Sequence, residues 1–148
     1  MMQASTLQRL QEMAHAQADA EGRRVAAMQT QLNAEEQRRQ ELMAYERAYY
    51  HSPPITASSA QQLQEQSLFL VKLREAIAQQ GQQCATYALR LQEQQRRWQA
   101  AQAKAQSLDL LAARQLTEQQ QRQRRREQKE ADEFAQRRRS SGGDASLD

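Results

Sequence analysis

The stretch "LQEQSLFLVKLREAIAQQGQQCATYALRLQEQQRRWQAAQAKAQSLDLLAARQ" runs from Leu63 to Gln115. Steps of three and then four residues from Leu63 select Leu63, Gln66, Leu70, Leu73, Ile77, Gln80, Cys84 and Tyr87. The series continues through Leu91, Gln94, Trp98, Ala101, Ala105, Leu108, Ala112 and Gln115. None of these is charged, in a chain with 26% charged residues. Chance would leave such a series free of charge only about once in a hundred trials. A 3-4 spacing held this long is the pattern of a coiled-coil seam, in which each side chain fits a hole on a partner helix. The glutamines in it can hydrogen-bond across a helix pair.

The partner lies upstream in the same chain. "YHSPPITASS", Tyr50 to Ser59, is the one strong break. Pro53 and Pro54 cannot continue a helix, and each biases the residue before it away from helical angles. Ser58 with Gln61, and Ser59 with Gln62, have capping-box spacing. A first helix is therefore expected over 4–50, a Pro-rich turn over 51–58 and a second helix over 59–139. So short a connection favours antiparallel neighbours. The best register of the first helix is Leu7, Leu10, Ala14, Ala18, Glu21, Val25, Met28, Leu32, Glu35, Arg39, Leu42, Tyr45 and Tyr49. Glu21, Glu35 and Arg39 interrupt it, so this arm is expected to pack less tightly and to fray first. Gly22 and Gly81 fall at similar heights and read as tolerated, at about 1 kcal/mol each relative to Ala.

Composition agrees with long helices. About a fifth of the 148 residues are Gln, Ala is nearly as common, and only 5% are aromatic. Gln, Ala, Glu, Arg and Leu favour helix, while the strand-forming types are scarce. The apolar content, 39%, is enough for a narrow seam rather than a layered core. The fold class is all-α: a long antiparallel two-helix coiled-coil hairpin with an overhanging C-terminal helix. At 1.5 Å per residue the arms are about 70 Å and about 120 Å long. Closure around Pro53 and Pro54 sets Leu7 beside Ala101 to Ala105 and leaves an overhang from about Leu108. That overhang opens with Leu108, Leu110, Leu111 and Leu116 and then turns polar all round, which burial does not stabilise. The tail 140–148, "SSGGDASLD", is disordered by composition.

Several function classes are disfavoured. His15 and His51 stand apart from any Cys or acid cluster with metal-ligand spacing, and no Gly-rich phosphate loop exists. Two seamed helices offer no concave pocket of ligand size, so neither an enzyme nor a cofactor is expected. The single cysteine, Cys84, fits a reducing compartment and sits at a seam position as a small hydrophobe. No apolar run approaches membrane-spanning length and the start is too polar for a secretory signal, so the protein is expected to be cytosolic. The net charge is +3 but uneven. Between Arg122 and Arg139 eight basic residues meet four acidic ones, leaving about +4 there and about −1 elsewhere. "QRQRRREQK" could touch phosphate, but acids are interleaved and no aromatic platform accompanies the basics. Phe134 stands alone among these charges as either an incidental apolar residue or a docking anchor. Leu68, Phe69 and Val71 add more apolar surface than a two-helix seam can hide, which favours a partner there.

"LREAIAQQ" at Leu73–Gln80, "QKEADEFAQR" at Gln128–Arg137 with its Asp132-Glu133-Phe134-Ala135 element, the length and the break near one third together resemble the FliJ family of the bacterial flagellar type III export apparatus. The resemblance covers nearly the whole chain. It implies a non-enzymatic coiled coil similar to the central stalk of rotary ATPases, involved in flagellum biogenesis and motility. The implied partners are the export ATPase ring, the export-gate membrane protein and export chaperones that it escorts. The implied location is cytoplasmic, peripheral to the inner membrane at the flagellar base. By match, the gate-binding face is Phe69, Leu73, Ala76 and Gln80. The ATPase end comprises Leu7, Leu10, Leu110, Leu111, Asp132, Glu133, Phe134 and Arg137. The alternatives are a stalk protein of a virulence-type III secretion system, or a basic coiled coil that binds nucleic acid or acts as a spacer.

Overall fold

A computed structural model describes residues 3–51 and 59–144, with side chains to residue 142. Among the described residues the chain is all-α: α1 spans Ala4–His51 and α2 spans Ala60–Asp144, and the two long helices pack against each other. The expected Pro-rich turn lies outside the described residues except for His51, which ends α1. α2 continues to Asp144, into the stretch 140–148 expected to be a tail. Residues 145–148 lie outside the described residues. At the start of α2, Ser59 Oγ accepts the backbone N–H of Gln62 at 3.2 Å, the predicted cap that satisfies a first-turn donor.

The packing divides into two units. One comprises residues 15–102, the other residues 1–14 with 103–148. In the unit of residues 15–102, Leu32, Cys84 and Leu91 form the buried centre, with Val25, Met28 and Tyr87 packed against it. Each is a predicted seam residue. Two pairs of bonds then fix direction and level. Gln94 Nε2 donates to Oε2 of Glu21, and Gln80 Nε2 donates to Oε2 of Glu35 and, at 3.0 Å, to the Glu35 carbonyl oxygen. Moving up α1 from Glu21 to Glu35 thus moves down α2 from Gln94 to Gln80, so the helices are antiparallel. Both pairs are centred in sequence several residues past Pro54 rather than on the prolines.

These bonds overturn the reading of Glu21 and Glu35 as flaws. Both are 6% exposed and sit within the seam. A carboxylate is tolerated there because its oxygens are occupied. For Glu21, Gln17 Nε2 reaches Oε1 at 3.0 Å and Arg24 reaches it at 3.2 Å. For Glu35, Arg38 reaches Oε1 at 3.3 Å.

The glycines do not share a level either. An added Cβ on Gly22 would meet Trp98 Nε1 at 3.0 Å, whereas one on Gly81 would meet Arg39 Nε at 3.7 Å. Gly22 lets the indole lie against the α1 backbone, so it is a packing residue rather than a tolerated one. Toward the other end of this unit, Leu63 and Tyr45 leave the seam, each 55% exposed. Gln62 and Glu46 are half-buried in their place. A helix of about 3.6 residues per turn drifts off a 3.5-residue repeat, and a step of four instead of three restores the facing.

In the other unit, Leu7 and Ala105 are each 3% exposed, and Ala14 is buried. Gln11 Nε2 donates to Asp109 Oδ1 at 2.9 Å. That bond sets Leu7 beyond Asp109, past the Ala101 to Ala105 level expected for it. Packing accordingly continues beyond Leu108, with Ala112 and Gln115 half-buried. The solvated stretch begins at Leu116. From there to residue 142 every side chain is exposed except the half-buried Ala135. Strong helix formers and i,i+4 contacts such as Gln123 Nε2 to Glu127 Oε1 at 3.2 Å sustain a helix without burial.

Candidate partner-docking surfaces

Two surfaces carry the residues singled out by sequence, one in each unit. In the unit of residues 1–14 and 103–148, the predicted ATPase-end residues divide by burial. Leu7 belongs to the seam and Leu10 is half-buried. Leu110, Leu111, Asp132, Glu133, Phe134 and Arg137 are all exposed. Phe134 is the extreme case: its ring is 67% exposed on a helix whose nearby side chains, Ala131 and Ala135 apart, are charged or amide. Holding a phenylalanine in water forgoes about 1.5–3 kcal/mol of burial that a partner can recover. Met13, 68% exposed, and Leu116, 57% exposed, add to the exposed apolar set of this unit. Met13 was missed because it lies off the α1 seam, and only its exposure singles it out.

The second surface lies early in α2. Of Phe69, Leu73, Ala76 and Gln80, the structure leaves Phe69 most open, at 40% exposure. Its ring rests against two tyrosines of α1: Tyr49 at 5.4 Å between centroids and Tyr45 at 6.1 Å in an edge-on arrangement. Such aromatic contacts contribute about 0.5–1.5 kcal/mol beyond area burial and hold the ring in one place. Leu73 is 8% exposed and faces α1, Ala76 is half-buried, and Gln80 is engaged by Glu35. The stripe is therefore split, with Phe69 presented outward and Leu73 and Gln80 holding the helix pair together behind it. The two tyrosines were not legible as part of this surface, since their contact with Phe69 depends on how α1 and α2 are aligned. Nearby, the Arg74 guanidinium lies 5.7 Å from the Tyr50 ring centroid.

Among the described residues no group of three or more His, Cys, Asp or Glu could hold a metal ion. No helix among them is long and apolar enough to cross a membrane. Cys84 is a buried free thiol. What both surfaces offer is association: an aromatic ring displayed on a helix and framed by charged or apolar neighbours.

A family model described as Flagellar FliJ protein matches residues 2–143 of the 148. No curated protein and no solved structure matches the chain.

Proposed function

The chain belongs to the flagellar FliJ family, and from that premise we propose that it works as a non-enzymatic coupling subunit of the export apparatus. Family membership makes it a protein associated with flagellar type III export. The finer reading is ours: one surface docks in the export ATPase ring, the other contacts the export gate, and the chain escorts export chaperones between them. On this reading it works at the cytoplasmic face of the inner membrane, held there by partners.

One observation supports the ATPase assignment above the rest. Residues 116–142 form solvated helix without a packed face, and Phe134 is displayed on it between acidic Asp132 and Glu133 and basic Arg137. A large aromatic in such a frame is the usual form of an interface anchor. Mixed charge around it suits a ring lined by polar loops and favours reversible contact. For the gate, the reading rests on Phe69 held by Tyr45 and Tyr49, with Ala76 at its margin and Leu73 and Gln80 supporting the helix from behind.

The test is Phe134→Ala. The side chain is exposed, so helicity should not change. Association with the purified export ATPase should weaken about tenfold or more, the loss expected for an aromatic anchor. Unchanged association refutes the anchor role. A salt titration separates this reading from nucleic-acid binding through Arg122 to Arg126, which should fall steeply with salt, whereas apolar docking persists.

A further inference from the structure

The solvated helix of residues 116–142 carries a cationic stripe that docking through Phe134 does not use. Arg122, Arg125, Arg126 and Lys129 stand at i, i+3, i+4 and i+7, on one side of α2 over about two turns, or about 10 Å. All four are exposed. Phe134 stands about 120° round the helix from Arg122, and Leu116, about five turns before Phe134, falls on the Phe134 side. The other cations do not extend the stripe. Arg114 lies beyond Glu118, Arg124 is on the far side with Glu127, and Arg137 to Arg139, being consecutive, point to three sides.

The stripe is unfavourable to the helix that bears it. Arg122 with Arg125 and Arg126, and Lys129 with Arg125 and Arg126, are like-charge neighbours at i,i+3 or i,i+4, and each such pair destabilises a helix. No packed face offsets them. Glu118, Glu130 and Glu133 stand four residues from Arg122, Arg126 and Lys129. Even so, among the described residues none of the four cations makes an ion pair or a hydrogen bond. Acids also close this face at both ends, Glu118 before it and Glu133 after it. Along the face the charge therefore runs negative, four times positive, negative. A long polyanion, such as a nucleic-acid strand or an anionic membrane, meets repulsion at both ends. A run of carboxylates no longer than the stripe meets none.

We propose that the stripe from Arg122 to Lys129 takes a short run of carboxylates on the export ATPase. The partner then holds this helix on two separate sides, one apolar at Phe134 and one acidic at the stripe. The inference rests on the reading that this helix docks in that ATPase. A carboxylate partner also removes the like-charge cost within α2, so docking and helix stability are linked.

The experiment measures association of the full chain with the purified export ATPase at low and high salt, about 0.05 M and about 0.5 M. Arg125→Gln with Lys129→Gln should weaken association about tenfold at low salt and match the wild type at high salt, where the stripe is screened. Arg125→Lys should keep the affinity, because it keeps the charge. Phe134→Ala should weaken association at both. In the free chain the same pair of glutamines should raise hydrogen-exchange protection of residues 116–142, since Gln, Arg and Lys have similar helix propensity and the repulsion is gone. A role of the cations in holding the helix together would lower it. If the wild type does not bind the ATPase, the docking reading falls and this inference with it. If Phe134→Ala weakens binding but the glutamine pair does not, this inference alone is overturned. Lowered protection in the glutamine pair overturns it too. So does tighter binding of the wild type to duplex DNA or to phosphatidylglycerol vesicles than to the ATPase, lost in the glutamine pair.

Discussion

The buried pair of Glu21 and Gln94 permits a quantitative test of what aligns the helices. Replacing Gln94 by Leu removes the amide that serves Oε2 of Glu21. Oε1 keeps Gln17 and Arg24. The Arg24 side chain is 60% exposed, so its contact compensates little. A carboxylate 6% exposed is then left with one oxygen unserved, at a cost of about 2–3 kcal/mol. Replacing Glu21 by Leu instead leaves the amide of Gln94, itself 4% exposed, with only the long contact to the backbone carbonyl of residue 21 at 3.5 Å. Part of that loss returns as apolar burial, leaving about 1 kcal/mol. The double replacement removes both polar groups together and should lie within about 1 kcal/mol of wild type, or above it, as buried polar pairs exchanged for apolar ones often do. The coupling in the cycle is then about 2–3 kcal/mol in magnitude. Urea unfolding followed by far-ultraviolet circular dichroism on the four proteins measures it. If the two single losses simply add in the double variant, the side chains do not act as a pair and the alignment argument fails.

Three further outcomes follow from the same packing. Gly81→Ala should stabilise by about 0.5–1 kcal/mol through helix propensity, since its Cβ meets only Arg39 at 3.7 Å. Gly22→Ala should gain nothing, because the Trp98 indole at 3.0 Å must give way; equal melting shifts for the two would contradict this. Leu32→Cys should form a disulfide with Cys84 under mild oxidation, the two being packed in one cluster, whereas Val25→Cys should not if the Glu–Gln pairs hold the level. Leu91→Asp places a charge at a site 7% exposed and should collapse the helical signal of this unit; an unaltered spectrum would show that Leu91 is not seated in the seam.

Much of this fold could be read from residue order because helices and seams are local. Ser59 announces its cap, and the series from Leu70 to Gln115 faces α1 nearly as its spacing requires. What could not be read is which residue of α1 meets which residue of α2. Glu21 and Glu35 look like faults on α1 alone, and become seam residues only opposite Gln94 and Gln80. Gly22 looks like a weak point until Trp98 lies on it. Tyr45 and Glu46 compete for one position by a margin that depends on helix drift, not on residue type. The surfaces divide in the same way. Phe134 is conspicuous by composition, because nothing around it resembles it. The setting of Phe69 between Tyr45 and Tyr49, and the seam duty of Leu73 and Gln80, are products of alignment that no stretch of α2 contains.

The indole lying against Gly22 has a practical consequence. Trp98 is the only tryptophan in the chain, and the four tyrosines, at 45, 49, 50 and 87, also fall within residues 15–102. Tyrosine and tryptophan fluorescence therefore has no reporter in the unit formed by residues 1–14 and 103–148, whereas circular dichroism registers both. Melting curves that diverge between the two probes would report the order in which the halves let go, with no dye or label attached.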